Sequence, residues 1–165
     1  MGTMITDNFK SEELVVITPL KGAFIFCSDL IRCIDLPMRI DFIEVSSYGD
    51  RTESSGEIKL IKDLTHDITG KHVLLVEDIL DSGLTISYAG DLLSKKKPAS
   101  ISVASLLNKN KTDIKLDYCG FDIEDLFVVG YGMDYRGYFR NLDHIAVLDE
   151  MSKRELDRNI EENKS

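Results

Sequence analysis

The chain has 165 residues, a formal net charge of −9 and apolar side chains at 43% of its positions, which indicates one soluble globular domain. No apolar run approaches the roughly 20 residues that span a bilayer, and the acidic balance argues against general binding to nucleic acid, which usually needs a basic face. The opening residues lack the apolar core of a signal peptide, and Cys27, Cys33 and Cys119 have no metal-ligand spacing, so we expect buried thiols in a reducing cytoplasm.

Stretches typical of strands and of helices alternate along the chain. ELVVITPL (13–20) indicates a buried strand, and the apolar residues from Ala23 to Ile34 recur on one helical face. RIDFIEV (39–45) alternates as a strand does, and IKLI (58–61) is a further short strand. The alternation predicts an α/β fold with a doubly wound, mainly parallel sheet. In such sheets the ligand binds beyond the carboxyl ends of the strands.

The second half of the chain continues the pattern. ASISVASLL (99–107) and DLFVVGYG (125–132) are two more strand candidates. The last residues, EMSKRELDRNIEENKS, indicate a charged, solvated helix or a frayed end. We therefore expect a single domain over residues 1–150 and a charged tail over residues 151–165.

The stretch HVLLVEDILDSGLTIS (72–87) carries the strongest functional signal. An unbroken apolar run, of the kind that fills a buried parallel strand, leads into Glu77 and Asp78. A loop with Asp81, small residues and hydroxyls follows before a helix from about Thr85, and such a loop suits a phosphate monoester. The three acids would repel a phosphate unless they face ribose hydroxyls, a metal ion or a base proton. The alternative is that Asp81 and Ser82 only cap the helix.

VLLVEDILDSGLT resembles the signature of the type I phosphoribosyltransferases, the loop that binds 5-phosphoribosyl 1-diphosphate. Four further segments are similar, in order and spacing, to the hypoxanthine(-guanine) branch of that family: LKGAFIFCSDLIR, SSYGDRTESSGEIKLIKDL, VASLLNKNK and FVVGYGMDYRGYFRNLDHIAVL. The resemblance covers about Ile5 to Leu148. It implies the type I phosphoribosyltransferase fold and a Mg²⁺-dependent purine salvage enzyme that converts hypoxanthine, and guanine as a second base, to IMP or GMP and diphosphate.

The resemblance also implies a role for each matching residue. Glu77 and Asp78 would hold the ribose hydroxyls, and Asp81 would act as general base toward N7 of the purine. The 5′-phosphate would lie against the residues of the loop: Asp81, Ser82, Gly83, Leu84 and Thr85. The purine would meet Lys109 at its 6-oxo group, Phe127 on its ring and Val128 at its pyrimidine edge. Asp134 would bind Mg²⁺, and the diphosphate would be bound by Arg140, Lys21 and Gly22.

Two mobile or unusual backbone features are implied as well. Ser47 and Tyr48 would lie on a Gly/Ser-rich loop that closes over the site and excludes water. The Leu20–Lys21 peptide bond would be cis, so that backbone N–H groups face the diphosphate, although a plain trans turn is the alternative. Relatives usually have an extra N-terminal segment, whereas MGTMITDNFKSEEL leads almost directly into the first strand, so a reduced hood over the purine is expected.

Other functions fit parts of the same pattern. A relative that prefers xanthine or guanine would keep the same motifs, because backbone carbonyls normally read the purine 2-amino group. A non-catalytic regulator that senses the sugar diphosphate and binds nucleic acid is disfavoured by the acidic balance and by the retained Asp81, Lys109, Asp134 and Arg140. The expected partners are the sugar diphosphate, a 6-oxopurine, and further copies of the chain in a homodimer or homotetramer, with no nucleic acid and no membrane.

Overall fold

A computed structural model describes residues 1–47 and 58–162. Six strands form one sheet in the order β3-β2-β1-β4-β5-β6, and two short strands, β7 and β8, form a second sheet. The elements in chain order are α1 (Gly2–Asn8), β1 (Leu14–Leu20), α2 (Phe24–Arg32), β2 (Met38–Ser47), β3 (Ile58–Lys62), β4 (His72–Leu80), α3 (Leu84–Ser94), β5 (Ser100–Asn108), β6 (Tyr118–Asp122), β7 (Val128–Val129), β8 (Ala146–Val147) and α4 (Glu150–Glu162). No helix in the described ranges is long and apolar enough to cross a membrane.

The large sheet is parallel except at one edge. β1 pairs in parallel with β2 and with β4, β4 with β5, and β5 with β6, while β3 runs antiparallel to β2. This arrangement confirms the doubly wound, mainly parallel α/β sheet that the alternating pattern predicts. The chain moves outward in one direction from β1 and in the other from β4, so the strand order reverses between these two neighbours. A ligand crevice is expected at their carboxyl ends.

Two apolar cores lie on opposite faces of the sheet. Leu14, Val16, Leu74 and Val76 pack with the buried side of α2, whereas Val15, Ile17, Val73 and Leu75 pack with α3. Successive side chains of a strand point to opposite faces, so continuous apolar runs in β1 and β4 supply both cores at once. Both strands are therefore fully covered, and they form the rigid centre from which the loops project.

Several elements differ from the sequence-based predictions. DLFVVGYG contributes only the two residues of β7, paired with β8, and the sixth strand of the large sheet is β6, whose edge position leaves all but its first residue exposed. Such an exposed strand carries no apolar run that a sequence could reveal. The N-terminal residues form α1, which buries Ile5 and is followed by the buried Phe9. By contrast, the helix after β4 begins at Leu84, within one residue of its predicted start at about Thr85.

The cysteines also differ from expectation. All three thiols are free, but only Cys27 is buried, and Cys33 and Cys119 are exposed. Burial raises the pKa of Cys27 to about 11, even though a hydrogen bond with Thr18 acts in the opposite direction. Cys27 therefore behaves as a core side chain between α2 and the sheet.

A buried carboxylate fixes the segment between β3 and β4. Asp41, on β2, is 2% exposed and accepts hydrogen bonds from the N–H of Phe42, Thr65 and His66, at 2.7–2.9 Å, and from the Thr65 hydroxyl at 2.8 Å. Burial opposes ionisation of Asp41, but these donors outweigh it and lower its pKa from 3.8 to about 2. The carboxylate thus replaces water as the partner of several backbone groups before β4 begins.

We predict that Asp41→Asn destabilises the protein by about 2–3 kcal/mol, because its amide turns one N–H₂ group toward buried donors. The melting temperature at pH 7 should fall by about 4–12 °C in a chain of this size. The ionised form stabilises the fold above the ordinary pKa, and this contribution disappears as the pH falls toward about 2. The difference from wild type should therefore shrink between pH 4 and pH 2, as measured by circular dichroism.

Asp113→Asn is the matched control, because Asp113 is an exposed carboxylate on a loop. Its melting temperature should stay close to that of the wild type at every pH. Equal melting temperatures for Asp41→Asn and Asp113→Asn at pH 7 would contradict the anchoring role of Asp41.

Candidate functional site

Two adjoining cavities open at the carboxyl ends of β1 and β4. The first cavity has a volume of about 330 Å³ and the second about 220 Å³. Asp78, Ile79, Asp81 and Asp134 line both cavities, so the two form one continuous crevice with a shared wall. The crevice lies where the strand order reverses, as expected for a doubly wound sheet.

Most of the residues predicted for the site line this crevice. The first cavity contains Gly22, Glu77, Asp78, Asp81, Ser82, Gly83, Leu84, Thr85, Asp134 and Arg140. The second cavity contains Lys109, Phe127 and Val128 in addition to the shared wall. Lys21 is exposed and does not line either cavity, only the backbone of Ser47 is described, at the end of β2, and Tyr48 lies outside the described residues.

Two buried carboxyl groups form the floor of the first cavity. Glu77 and Asp78 are 6% and 8% exposed, although both line an open crevice. Glu77 Oε1 accepts the Asp78 N–H at 3.1 Å, and Asp78 Oδ1 accepts the Ile79 N–H at 2.8 Å. Glu77 Oε2 is the one buried side-chain oxygen or nitrogen in the described part of the chain that has no hydrogen-bond partner. An acceptor of this kind at a cavity floor suits a hydroxyl donor from a ligand.

The electrostatics of this pair follow from burial. Burial raises the pKa of Glu77 well above its ordinary value, and repulsion from the Asp78 carboxylate raises it further. Burial also raises the pKa of Asp78, against the opposing effects of its hydrogen bond with Glu77 and of the Arg140 guanidinium. The pair therefore holds protons that an ordinary surface pair would have lost, and hydroxyl donors or a cation would be needed to favour full ionisation.

The loop after β4 presents backbone groups to the first cavity. Gly83 has φ +76° and precedes the first residue of α3 without a side-chain cap. The Ser82 hydroxyl approaches the Leu84 N–H only at 3.5 Å, and the Asp81 carboxylate is turned toward lysines instead. The first N–H groups of a helix have no partners within the helix. The start of α3 is therefore not capped by its own loop, an arrangement that would suit an anion.

Asp81 belongs to a cluster of four charged side chains. Its Oδ2 lies 2.8 Å from Lys109 Nζ and its Oδ1 lies 3.0 Å from Lys111 Nζ. Both ammonium groups also contact Asp125 Oδ1, at 3.4 Å and 2.5 Å. Burial opposes ionisation of Asp81, but the two lysines outweigh it, so the pKa of Asp81 lies below its ordinary value. Asp81 is therefore an ionised acceptor at the boundary of the two cavities.

Sequence reasoning missed Lys111 and Asp125. Lys111 lies two residues after Lys109 in a polar stretch, where a lysine is solvated by default, and Asp125 lies on a loop far from Asp81 in the chain. No local pattern indicates a contact across such separations. The one sequence feature that points to this cluster is the repeated lysine in NKNK, which places two ammonium groups close together.

The far wall of the crevice comes from the segment after β7. Asp134 Oδ1 lies 2.6 Å from Arg140 Nη2, and Asp134 Oδ2 accepts the Gly137 N–H at 2.6 Å. Arg140 Nη1 donates to the Gly132 carbonyl at 2.7 Å. These bonds hold the Asp134 carboxylate and the Arg140 guanidinium at fixed positions on this wall.

The Leu20–Lys21 peptide bond is cis, as predicted. Gly22 follows it and its backbone lies directly against the Asp78 carboxylate, where a Cβ atom would overlap with Oδ2. A side chain at this position would therefore force the Asp78 carboxylate to move.

The chain is similar to known proteins over most of its length. A family model described as the phosphoribosyl transferase domain matches residues 3–136. The hypoxanthine-guanine phosphoribosyltransferase of Bacillus subtilis (strain 168) is 47% identical over 151 residues, which cover 90% of this chain and 84% of that protein. A crystal structure of a hypoxanthine phosphoribosyltransferase from Staphylococcus aureus superposes with a TM-score of 0.85 at 44% identity and covers 91% of this chain and 83% of that one.

A second solved structure is similar in the same way. It is a hypoxanthine-guanine phosphoribosyltransferase from Bacillus anthracis with a HEPES molecule in the active site. Its TM-score is 0.83 at 46% identity, and the match covers 90% of this chain and 89% of that one.

We predict that Glu77→Gln stabilises the ligand-free protein, because it removes a buried charge and supplies an N–H₂ donor beside Asp78. A gain on the order of 1 kcal/mol at pH 7.5 corresponds to a melting temperature about 2–4 °C higher. A carboxyl with a raised pKa stabilises the fold below its ordinary value and loses that contribution as the pH rises. The gain should therefore vanish below about pH 4.5, measured by calorimetry across this range.

Glu124→Gln, at an exposed position, serves as the control and should leave the melting temperature unchanged. A lower melting temperature for Glu77→Gln than for Glu124→Gln at pH 7.5 would show that the Glu77 carboxyl does not destabilise the ligand-free protein.

Proposed function

This chain belongs to the phosphoribosyltransferase family, and from that premise we propose that it is a purine salvage enzyme acting on hypoxanthine, with guanine as a second base. The co-substrate is 5-phosphoribosyl 1-diphosphate, and the products are the nucleoside 5′-monophosphate and diphosphate. The single observation that carries this proposal is the divided crevice: acids and a helix N-terminus line one cavity, and an ammonium group and an aromatic ring line the other.

The sugar diphosphate fits the first cavity group by group. Glu77 and Asp78 accept hydrogen bonds from the ribose 2′- and 3′-hydroxyls, which supplies the partner that Glu77 Oε2 lacks. The 5′-phosphate lies at the start of α3, against the residues from Asp81 to Thr85, where Leu84 contributes only its backbone. The diphosphate lies between Arg140 and the Lys21–Gly22 turn. Lys21 reaches it from its exposed position. Ser47 is the last residue of β2 and Tyr48 lies outside the described residues, so their proposed contact with the substrate rests on the resemblance alone.

The purine fits the second cavity. Phe127 stacks on the ring, the Val128 backbone reads the pyrimidine edge, and Lys109 donates a hydrogen bond to the 6-oxo group. Only 7% of the Lys109 side chain is exposed. The hydrogen bond to the base carbonyl therefore replaces the contact of Lys109 with Asp81, and not a contact with water. Lys111 remains on Asp81 and Asp125 when Lys109 turns to the base, so Asp81 keeps one ammonium partner.

The reaction is a displacement at C1′ of the ribose. The C1′–O bond breaks and its electron pair leaves with diphosphate, while the N9 lone pair of the purine forms the C1′–N9 bond. The N7 proton passes to Asp81, whose low pKa rises once Lys109 has moved to the base, since one of its two ammonium partners is lost. The acids beside C1′ favour the positive charge that develops on the ribose.

Mg²⁺ is the proposed cofactor, and Asp134 is the residue proposed to hold it. Within residues 1–47 and 58–162 no three His, Cys, Asp or Glu side chains form a metal cluster. Mg²⁺ is commonly held by one or two carboxylates together with substrate phosphates and waters, so a single acid on the wall of both cavities fits it. When bound, Mg²⁺ would neutralise charge on the diphosphate and make it a better leaving group.

The proposed function includes a domain organisation, an oligomeric state and a cellular setting. Residues 1–150 form the transferase domain, and residues 151–165 form a charged C-terminal segment. The resemblance supports a homodimer or homotetramer, which light scattering measures. The free thiols support a reducing, cytoplasmic setting.

The proposed function predicts a definite order of substrates. With Mg²⁺ and 5-phosphoribosyl 1-diphosphate, hypoxanthine should give IMP and guanine should give GMP. Adenine should be at least about 10²-fold worse in kcat/KM, because its 6-amino donor would face the Lys109 donor. Chromatographic detection of each nucleotide provides the measurement, with xanthine included as the fourth base.

The outcomes separate the competing functions. A clear preference for xanthine or guanine would show that this base, and not hypoxanthine, is the main substrate. Absence of nucleotide from every 6-oxopurine, together with retained binding of the sugar diphosphate, would favour a non-catalytic regulator.

We predict that Lys109→Ala raises the KM for the base by about 10- to 150-fold, the value of one lost hydrogen bond from a charged donor. The KM for the sugar diphosphate should change less than about threefold, since the lost partner is the base carbonyl. Lys111→Ala is the matched variant, because Lys111 contacts the same two acids but does not line the second cavity. Equal effects of the two substitutions on the KM for the base would remove Lys109 from base recognition.

A further inference from the structure

The C-terminal helix α4 packs against the same segment that lines the second cavity. Asp149 Oδ1 accepts the Ser152 N–H at 2.7 Å, which caps the start of the helix. α4 follows β8 directly and lies beyond residue 136, where the match to the family model ends. The role of this helix is therefore inferred from its contacts.

Lys153, on α4, contacts Phe127, a residue that lines the second cavity. Its Nζ lies 4.2 Å from the centroid of the Phe127 ring, and its side chain is only 17% exposed. A desolvated ammonium over an aromatic face is an attractive cation–π contact. Lys153 Nζ also donates to Glu150 Oε1 at 2.6 Å, so the ammonium group is held by its own helix as well.

A second contact fixes the helix in this register. Asp157 accepts hydrogen bonds from the Tyr135 hydroxyl at 3.0 Å and from Arg136 Nη1 at 2.7 Å. Residues 153 and 157 are four apart and thus lie on one helical face. Tyr135 in turn meets the Phe127 ring edge-on, with 5.7 Å between centroids. Phe127 is therefore contacted by Lys153 from α4 and by the aromatic ring to which α4 is bonded.

These contacts lie outside the cavity that Phe127 lines. The described lining of the second cavity includes Phe127 but neither Lys153 nor Tyr135. The Phe127 side chain is 39% exposed, so without these neighbours little else would restrict its rotamers. A ring that is already held in one orientation loses less freedom when a planar ligand stacks on it.

We infer that α4 is part of the base subsite and that Lys153 is a positioning residue, which holds the Phe127 ring in place for the purine. This inference rests on the proposed function. The residue acts through Phe127 and does not touch the reacting atoms. Its effect is thus expected on binding of the base and not on the chemical step or on the sugar diphosphate.

Steady-state kinetics on the full chain test the inference. Lys153→Met should raise the KM for hypoxanthine by about 3- to 10-fold, as expected for a partly desolvated cation–π contact. The kcat and the KM for 5-phosphoribosyl 1-diphosphate should stay within about twofold. Lys153→Arg should restore the wild-type KM, because a guanidinium also stacks on an aromatic face. Asp157→Ala should shift the KM for the base in the same direction as Lys153→Met.

Arg154→Met is the matched control. It removes one positive charge from the neighbouring, exposed position of α4 and should leave all constants unchanged. A KM for hypoxanthine within twofold of wild type in both Lys153→Met and Asp157→Ala would overturn the inference. Equal increases in the KM for both substrates would overturn it too, because they would indicate a general structural effect.

Equilibrium binding separates this inference from the proposed function. Titration calorimetry with IMP, used as the probe, should show weaker binding to Lys153→Met than to Arg154→Met even where no turnover is seen. A wild-type chain that binds IMP but makes no nucleotide would overturn the proposed function alone. Equal affinity of Lys153→Met and Arg154→Met for IMP, or absence of IMP binding to the wild type, would overturn the inference.

Discussion

The burial of two neighbouring carboxyl groups at the end of β4 is the constraint on which the rest of the site depends. Glu77 and Asp78 lie between two apolar cores and at the point where the strand order reverses. Buried acids with few donors destabilise a fold, and the raised pKa of both groups reflects their burial. The glycine after β1 and the guanidinium of Arg140 are the nearby features that allow the pair to remain there.

The divided crevice follows from this placement. Because the acids occupy the floor, the phosphate groups of the proposed substrate would lie at the rim, where the start of α3 and Arg140 provide N–H groups and positive charge. Asp81 lies on the shared wall and is kept ionised by Lys109 and Lys111. In a chain with a net charge of −9, Arg140 and the N–H groups at the start of α3 are the features of the first cavity that would favour an anion.

The sequence predicts the centre of this molecule better than its edges. β1 and β4 are buried on both faces, so their apolar runs are visible, and the order of motifs identifies the family. β6 lies at an exposed edge and has no distinctive pattern, whereas the strand-like pattern of DLFVVGYG yields only the two residues of β7. Roles in the site come from resemblance for residues such as Lys109 and Phe127, which would otherwise be a solvated lysine and a core aromatic.

Contacts between distant parts of the chain were beyond prediction. Lys111 and Asp125 meet at Asp81, and Lys153 meets Phe127, only because the fold brings separate loops and α4 together. The charged tail could be recognised as a possible helix, but the face it presents depends on Tyr135 and Arg136. Such pairs depend on tertiary geometry and not on local spacing.

The central claim is that ribose hydroxyls supply the donors that the acidic pair lacks. Calorimetric titration with 5-phosphoribosyl 1-diphosphate and Mg²⁺ at pH 6, in buffers of different ionisation enthalpy, measures the protons exchanged on binding. The wild type should release more protons than Glu77→Gln, because hydroxyl donors lower the raised pKa of the pair. Equal proton release by the two proteins, or proton uptake by the wild type, would contradict this account of the site.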